Sequence, residues 1–249
     1  MNKVIRAEFG RTINAGLIIA IAGIIFSICF DSFNDLIAGL RNGQGYVGYF
    51  FSNAAFGGMC THYMLPVFTA LPFSVSLCQE RNNIFAYFIV SAISGGVGAV
   101  CGTELLFLML AIRFPIAGDE FEGAVVSDYF HEWSAVYYPQ LYILTLSILA
   151  FCRGVIWSSL ALCVSLYTSD FMVVLLSPFL GSYVLVRIFQ IIRVPDMVRP
   201  DMILIGQVVI KSSGLTLIIA IAISLTIVTL IGALFVGKMK EGLKSGTIY

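Results

Sequence analysis

Residues Leu71 to Ile93 read LPFSVSLCQERNNIFAYFIVSAI: an apolar run ends at Cys78, the five polar residues Gln79 to Asn83 follow, and a second apolar run starts at Ile84. A polar island this brief leaves room only for a solvated turn between two segments of membrane length. What the rest of the chain looks like decides what that turn joins.

The chain has 249 residues, of which 59 % are hydrophobic and 11 % charged. Soluble domains carry about a quarter charged residues, so the composition describes an integral membrane protein. Fourteen basic and fourteen acidic residues cancel, and no overall field points to nucleic acid. Cys29, Cys78, Cys101, Cys152 and Cys163 sit in or beside apolar runs without metal spacing and read as small packing residues. Cys60 opens another apolar run and has no evident partner. Basic residues precede the first apolar run as in a signal peptide, but no small-x-small cleavage site follows, so the first segment is expected to be retained.

A bilayer core about 30 Å thick needs roughly 20 apolar residues in a helix. Six stretches qualify, near 13–30, 54–78, 84–112, 139–165, 171–192 and 214–236, which predicts one all-α transmembrane domain over residues 1–249. With a cytoplasmic N-terminus, Lys3, Arg6, Arg11, Arg81, Lys238, Lys240 and Lys244 lie inside, whereas Arg41, Arg113, Arg193, Arg199 and Lys211 lie outside. The excess of basic residues inside favours a multi-pass protein of the plasma membrane with both termini cytoplasmic.

Three pieces lie outside the spans. Residues 1–12 place Ile5 and Phe9 four apart, continuing to Ile13, while Lys3, Arg6 and Arg11 carry charge, a pattern for an amphipathic helix in the lipid interface or a basic flank that sets topology. The segment Phe114 to Pro139 mixes acidic residues with Tyr129, Phe130, Trp133, Tyr137 and Tyr138, suited to anchoring at the outer leaflet or to meeting a substrate. Beyond Arg193, the run MILIGQVVI is too short to span and is either re-entrant, surface-lying or part of an ordinary loop.

Catalytic chemistry is poorly supplied. Only His62 and His131 are present, HEWSA at His131 lacks the second histidine of a zinc helix, and there is no GxSxG elbow. No metal site and no catalytic set is assigned. The glycines of SGGVGAVCG, Ser94 to Gly102, fall mid-span, where they allow close helix approach rather than cradle phosphate. Glu104 and Arg153 are ionisable residues inside spans and raise a functional question by their cost in lipid. Their depths differ by roughly 9 Å along the membrane normal, leaving open a Glu104–Arg153 pair, a water-lined pathway or snorkelling. Pro66, Pro72 and Pro178 interrupt spans and are candidate kinks or hinges.

This order of features resembles the ABC type-2 (type V exporter-like) permease family: an amphipathic interfacial helix, six spans, and a second span closing on an "LPF…E" stretch before a Tyr-containing third. The matching residues are Leu71, Pro72, Phe73, Glu80, Arg81 and Tyr87; Asn82 and Asn83 depart from the family's glycine-containing turn. The resemblance implies that the chain pairs with a second permease, identical or related, within membrane lipid. It also implies that a separate cytosolic ATPase docks on Gln79, Glu80, Arg81, Asn82 and Asn83 and on the N-terminal helix of Lys3, Arg6, Phe9 and Arg11. There is no Walker A sequence, so ATP and Mg would be bound by that partner and no cofactor by this chain. Short external loops look most like exporters of lantibiotics, small peptides or drugs. The alternatives are an intramembrane enzyme using Glu104 or His131 as acid or base, and a membrane assembly subunit that forms no transport path.

Overall fold

The computed structural model describes residues 15–42, 47, 50, 58–74, 84–115, 138–168 and 170–245. Among them every regular element is helical: α1 Ala15–Asp31, α2 Phe33–Asn42, α3 Met59–Ser74, α4 Ile84–Arg113, α5 Pro139–Val164, α6 Phe171–Ile192, α7 Pro200–Ile205 and α8 Ser213–Ser245, with a 3-10 turn at Asp196–Val198. Four of these helices, α4, α5, α6 and α8, are long and apolar enough to cross a bilayer. The helix Ala15–Asp31 and the segment Phe33–Arg41 meet at 71° and together make a fifth candidate. The second expected span is described over Met59–Ser74, 16 residues or about 24 Å of helix.

Helix ends fall where local chemistry puts them. Asp170 caps α6 by accepting hydrogen bonds from the Met172 and Val173 N–H groups at 2.8 and 3.4 Å. Ser32 sits at the bend after α1, its hydroxyl donating to the Ile28 carbonyl at 2.8 Å. The helices run on through Pro66, Pro72 and Pro178. At Pro178 the Val174 carbonyl loses its backbone donor, and the Ser177 hydroxyl donates to it at 2.8 Å.

Residue pairings give the relative directions of α1, α3, α4 and α5. Along α4 and α5, Ala92 meets Ser158, Gly95 meets Gly154 and Glu104 meets Ser147, so the two are antiparallel. In α1 and α3, Gly23 meets Phe68 and Asp31 meets Cys60 and Thr61, again antiparallel. Leu17 and Ile24 of α1 meet Gly98 and Gly102 of α4, a parallel pair. The chain therefore runs up and down in sequence order through α1, α3, α4 and α5.

Helix α5 is the hub, packed by α3, α4, α6, α7 and α8, and its interface with α4 is the most extensive among the described helices. Lipid is as apolar as leucine, so shape complementarity rather than water exclusion must hold such helices together. The glycines of α4 provide it. A Cβ on Gly96 would meet the Phe151 ring of α5 at 2.7 Å, and one on Gly102 would meet Ile24 of α1 at 2.9 Å. The main core is built on Ile24, Ile28, Leu106, Leu146, Leu149 and Ile203, and a smaller cluster of Phe88, Leu162 and Phe235 closes the opposite end.

The chain between α6 and α8 is folded into the bundle. Ile203, Leu204 and Ile205 of α7 are buried, and Val209 and Ile210 pack on the core. Gly206, at φ 82°, ends α7 in the left-handed region, where the Gly206 and Gln207 N–H groups donate to the Ile203 and Met202 carbonyls at 3.1 and 3.0 Å. Thr216 ties the far end of the link to α8, accepting from the Ile210 N–H at 2.7 Å. The run MILIGQVVI is thus part of the packed interior and is not a solvated loop.

Candidate functional site

Two adjoining cavities, about 230 and 260 Å³, lie against α5. The first lies between the N-terminal turn of α3, the C-terminal end of α6 and the link, and includes Tyr63, Gln190, Arg199 and Gln207 in its wall. The second is deeper and largely apolar, lined by Trp157, Leu185, Ile227 and Ile231 among others. His62, Arg153, Asp201 and Ile205 line both, so a charged junction separates a polar vestibule from an apolar chamber. Helices α6 and α8 each pack on α5 but share no substantial interface with one another, and the chamber occupies the crevice between them.

The junction is assembled from three parts of the chain. Arg153 projects from the middle of α5 and is 7 % exposed. His62 comes from the first turns of α3, its ring edge-on to Tyr63 at 4.8 Å between centroids. Asp201 comes from the first turn of α7, is 8 % exposed, and is held by Arg199 through bonds of 2.6 and 3.3 Å. Arg199 also reaches Asp196 at 3.1 Å and lies over the Phe189 ring at 6.0 Å. Its hydrogen bonds to the accepting Asp201 carboxylate push the Arg199 guanidinium above its ordinary range, so it stays charged. Around the vestibule, the charges in the described lining are thus two cations, Arg153 and Arg199, and one anion, Asp201. Asp196, with its side chain 68 % exposed, stands in solvent outside it.

Arg153 therefore belongs to a cavity, and Glu104 does not join it. Among the described residues there is no Glu104–Arg153 ion pair. The Glu104 carboxylate instead accepts a hydrogen bond from the Ser147 hydroxyl. Ser147 precedes Arg153 by six residues on α5, about 9 Å, which is the depth offset that the span arithmetic gives. Glu104 is satisfied at its own depth, whereas Arg153 is turned toward α3, α6 and the link.

The turn Gln79, Glu80, Arg81, Asn82 and Asn83, the N-terminal residues Lys3, Arg6, Phe9 and Arg11, and His131 lie outside the described residues. Arg187 is a further ionisable residue inside the fifth apolar stretch, in addition to Glu104 and Arg153. Five residues from the end of α6, it bonds the Tyr183 hydroxyl at 3.2 Å and the Gln190 side-chain carbonyl at 3.0 Å, a short reach toward the helix end. Asp201 carries one sequence signal, the charged Arg199-Pro200-Asp201 stretch opening an apolar run. His62 carries none beyond its rarity.

Among the described residues no three His, Cys, Asp or Glu side chains are grouped to hold a metal ion, and the five described cysteines are free thiols. No family model, curated protein or solved structure matches the chain.

Proposed function

We propose that this chain is the membrane-spanning permease subunit of an ATP-binding-cassette transporter, crossing the plasma membrane six times with both termini cytoplasmic. The observation that carries the transport reading is the charged junction of Arg153, Asp201 and His62 between a polar and an apolar cavity inside an apolar bundle. Buried charge in a membrane helix is retained where it serves a path or a ligand. The up-and-down order of α1, α3, α4 and α5 is compatible with six crossings, α3 being the described part of the second.

The coupling half of the proposal rests on the resemblance carried by Leu71, Pro72, Phe73, Glu80, Arg81 and Tyr87. On that reading the Gln79–Asn83 turn and the Lys3–Arg11 segment receive a separate ATPase, and a second permease copy or relative faces this one. Export of a peptide, antibiotic or lipid-like molecule follows from the same resemblance.

The test is to co-express the chain with the ATPase subunit encoded beside its gene, purify the complex and reconstitute it in liposomes. Substrate-responsive ATP hydrolysis is expected only when both subunits are present. Glu80→Lys combined with Arg81→Glu should abolish assembly or uncouple hydrolysis. A neighbourhood without an ATPase gene, or a charge-reversed chain that assembles and couples normally, would sink the proposal. Chemical turnover by the isolated chain without nucleotide would point to the intramembrane-enzyme alternative.

A further inference from the structure

We infer that the apolar chamber takes the end of an acyl chain of a bilayer lipid, entered sideways between α6 and α8 at the middle of the membrane. This goes beyond the permease reading and requires only that the bundle sits in a bilayer. Gly181 in the chamber wall lies ten residues from Phe171 and eleven from Ile192 along α6, about 15 Å of helix from either end. A bilayer core is about 30 Å thick, so chain ends and no head groups reach that level. Side access follows from packing, because α6 and α8 both pack on α5 but share no substantial interface with one another. Beside the lining residues, Leu180 and Val184 of α6 and Leu225 and Leu230 of α8 are exposed, so the chamber adjoins lipid.

Chemistry selects the occupant. His62, Arg153 and Asp201 bound the chamber at its junction with the vestibule, and the remaining lining side chains are aliphatic or proline apart from the Trp157 ring. Water is held in a cavity where several polar groups receive it, and the hydrocarbon part of this wall has none. A peptide would bring backbone N–H and C=O groups, each costly in such surroundings without a partner. An acyl chain needs no hydrogen bond. The volume agrees: about 260 Å³ is about nine times the roughly 30 Å³ of one water in the liquid, and a methylene group is of similar size, so the chamber suits the last segment of a chain. A chain seated there supplies the contacts that α6 and α8 do not make to each other.

Photolabelling in nanodiscs tests it. The full chain is placed in phosphatidylcholine discs doped with a phosphatidylcholine that carries a diazirine at the terminal carbon of one acyl chain, irradiated, and its adducts are located by tandem mass spectrometry. Leu180, Val184, Leu225 and Leu230 report ordinary boundary lipid. Ile156, Leu204 and Ile205 line the chamber and are only 6, 8 and 7 % exposed, so an adduct there requires a chain inside. Adducts in both groups are expected in the parent. Gly181→Leu fills the chamber from α6, where a Cβ already stands 3.0 Å from Leu160 and 3.5 Å from Trp157. It should lower the yield at Ile156, Leu204 and Ile205 about tenfold, a factor equal to 1.4 kcal/mol of crowding, and leave the outer group unchanged. Ile231→Trp narrows the chamber from α8 and should act in the same direction. A fatty alcohol bearing the same chain and diazirine, added to unlabelled discs, separates a free amphiphile from bilayer lipid, and the lipid is expected to label the chamber at least as well.

Adducts confined to the outer group, chamber adducts undiminished in folded Gly181→Leu and Ile231→Trp proteins, or chamber labelling by the alcohol alone would overturn the inference. If neither variant folds, the parent's adduct map and the alcohol comparison decide it. The labelling uses neither ATPase nor nucleotide. A labelled chamber in a protein without ATP-coupled transport would remove the permease reading and leave this site standing, and coupled transport with an unlabelled chamber would do the reverse.

Discussion

Gly154 of α5 lies so close to Gly95 of α4 that a Cβ on Gly154 would stand 2.6 Å from the Gly95 carbonyl oxygen. The obstacle is backbone, which cannot rotate away as a side chain can. Gly154→Leu should therefore separate the two most extensively packed helices, costing several times the roughly 1–3 kcal/mol of ordinary overpacking and leaving little folded protein. Gly237→Ala, with nothing within 4 Å of the new methyl, should be silent in the same thermal-unfolding assay in detergent.

The Asp31 carboxylate at the end of α1 accepts from the backbone N–H groups of Cys60 and Thr61 at 2.9 and 2.6 Å. It thus caps the N-terminus of α3 from another helix, satisfying donors that have no partner within α3 and opposing the positive end of the helix dipole. Asp31→Ala is expected to destabilise by about 1–2 kcal/mol and Asp31→Asn, which keeps one acceptor oxygen, by less. Equal stability of the two variants and the parent would show that the cap contributes nothing.

Glu104 and Ser147 should be coupled, and Glu104 and Arg153 should not. A double-mutant cycle with Glu104→Gln and Ser147→Ala is expected to return a coupling on the order of 0.6 kcal/mol, typical of hydrogen bonds between membrane helices. The corresponding cycle with Arg153→Lys should be additive within about 0.5 kcal/mol. A large Glu104–Arg153 term would contradict the positions described above.

Arg199 has one buried partner and one exposed partner, and their removal should differ. Asp201→Asn strands a buried guanidinium beside the cavity, a change worth about 3–5 kcal/mol when no other partner remains, reduced here because Asp196 still reaches Arg199 at 3.1 Å. Asp196→Asn removes an exposed partner and should cost at most about 1 kcal/mol. Unfolding midpoints of the two variants, measured at one ionic strength, test the order.

Much of the architecture was legible because a bilayer imposes a length. The fifth apolar stretch, 171–192, coincides with α6, and the third and fourth differ from α4 and α5 by one residue at a single end. The glycines of Ser94–Gly102 announced close packing because a Cβ at these positions would collide with the facing helix. Helix α8 runs nine residues beyond the expected 236, to Ser245, since backbone hydrogen bonding continues a helix past the apolar limit that hydropathy detects.

The sequence by itself thus determined an all-helical chain of membrane-length apolar segments, the bounds of those near 84–112, 139–165 and 171–192 to within a residue, and that Glu104 and Arg153 are costly in lipid. Only the tertiary structure decided which groups meet. Rotation of α5 about its axis, set by the fit of Gly154 and Ser158 against α4, turns Arg153 away from Glu104 and toward His62. The link between α6 and α8, polar at its start and too short to span, folds inward because Ile203, Leu204 and Ile205 have a core to fill, and it carries Asp201 to the same place. Depth in the membrane is written along one helix, residue by residue; the face a residue presents is fixed by neighbours distant in the chain.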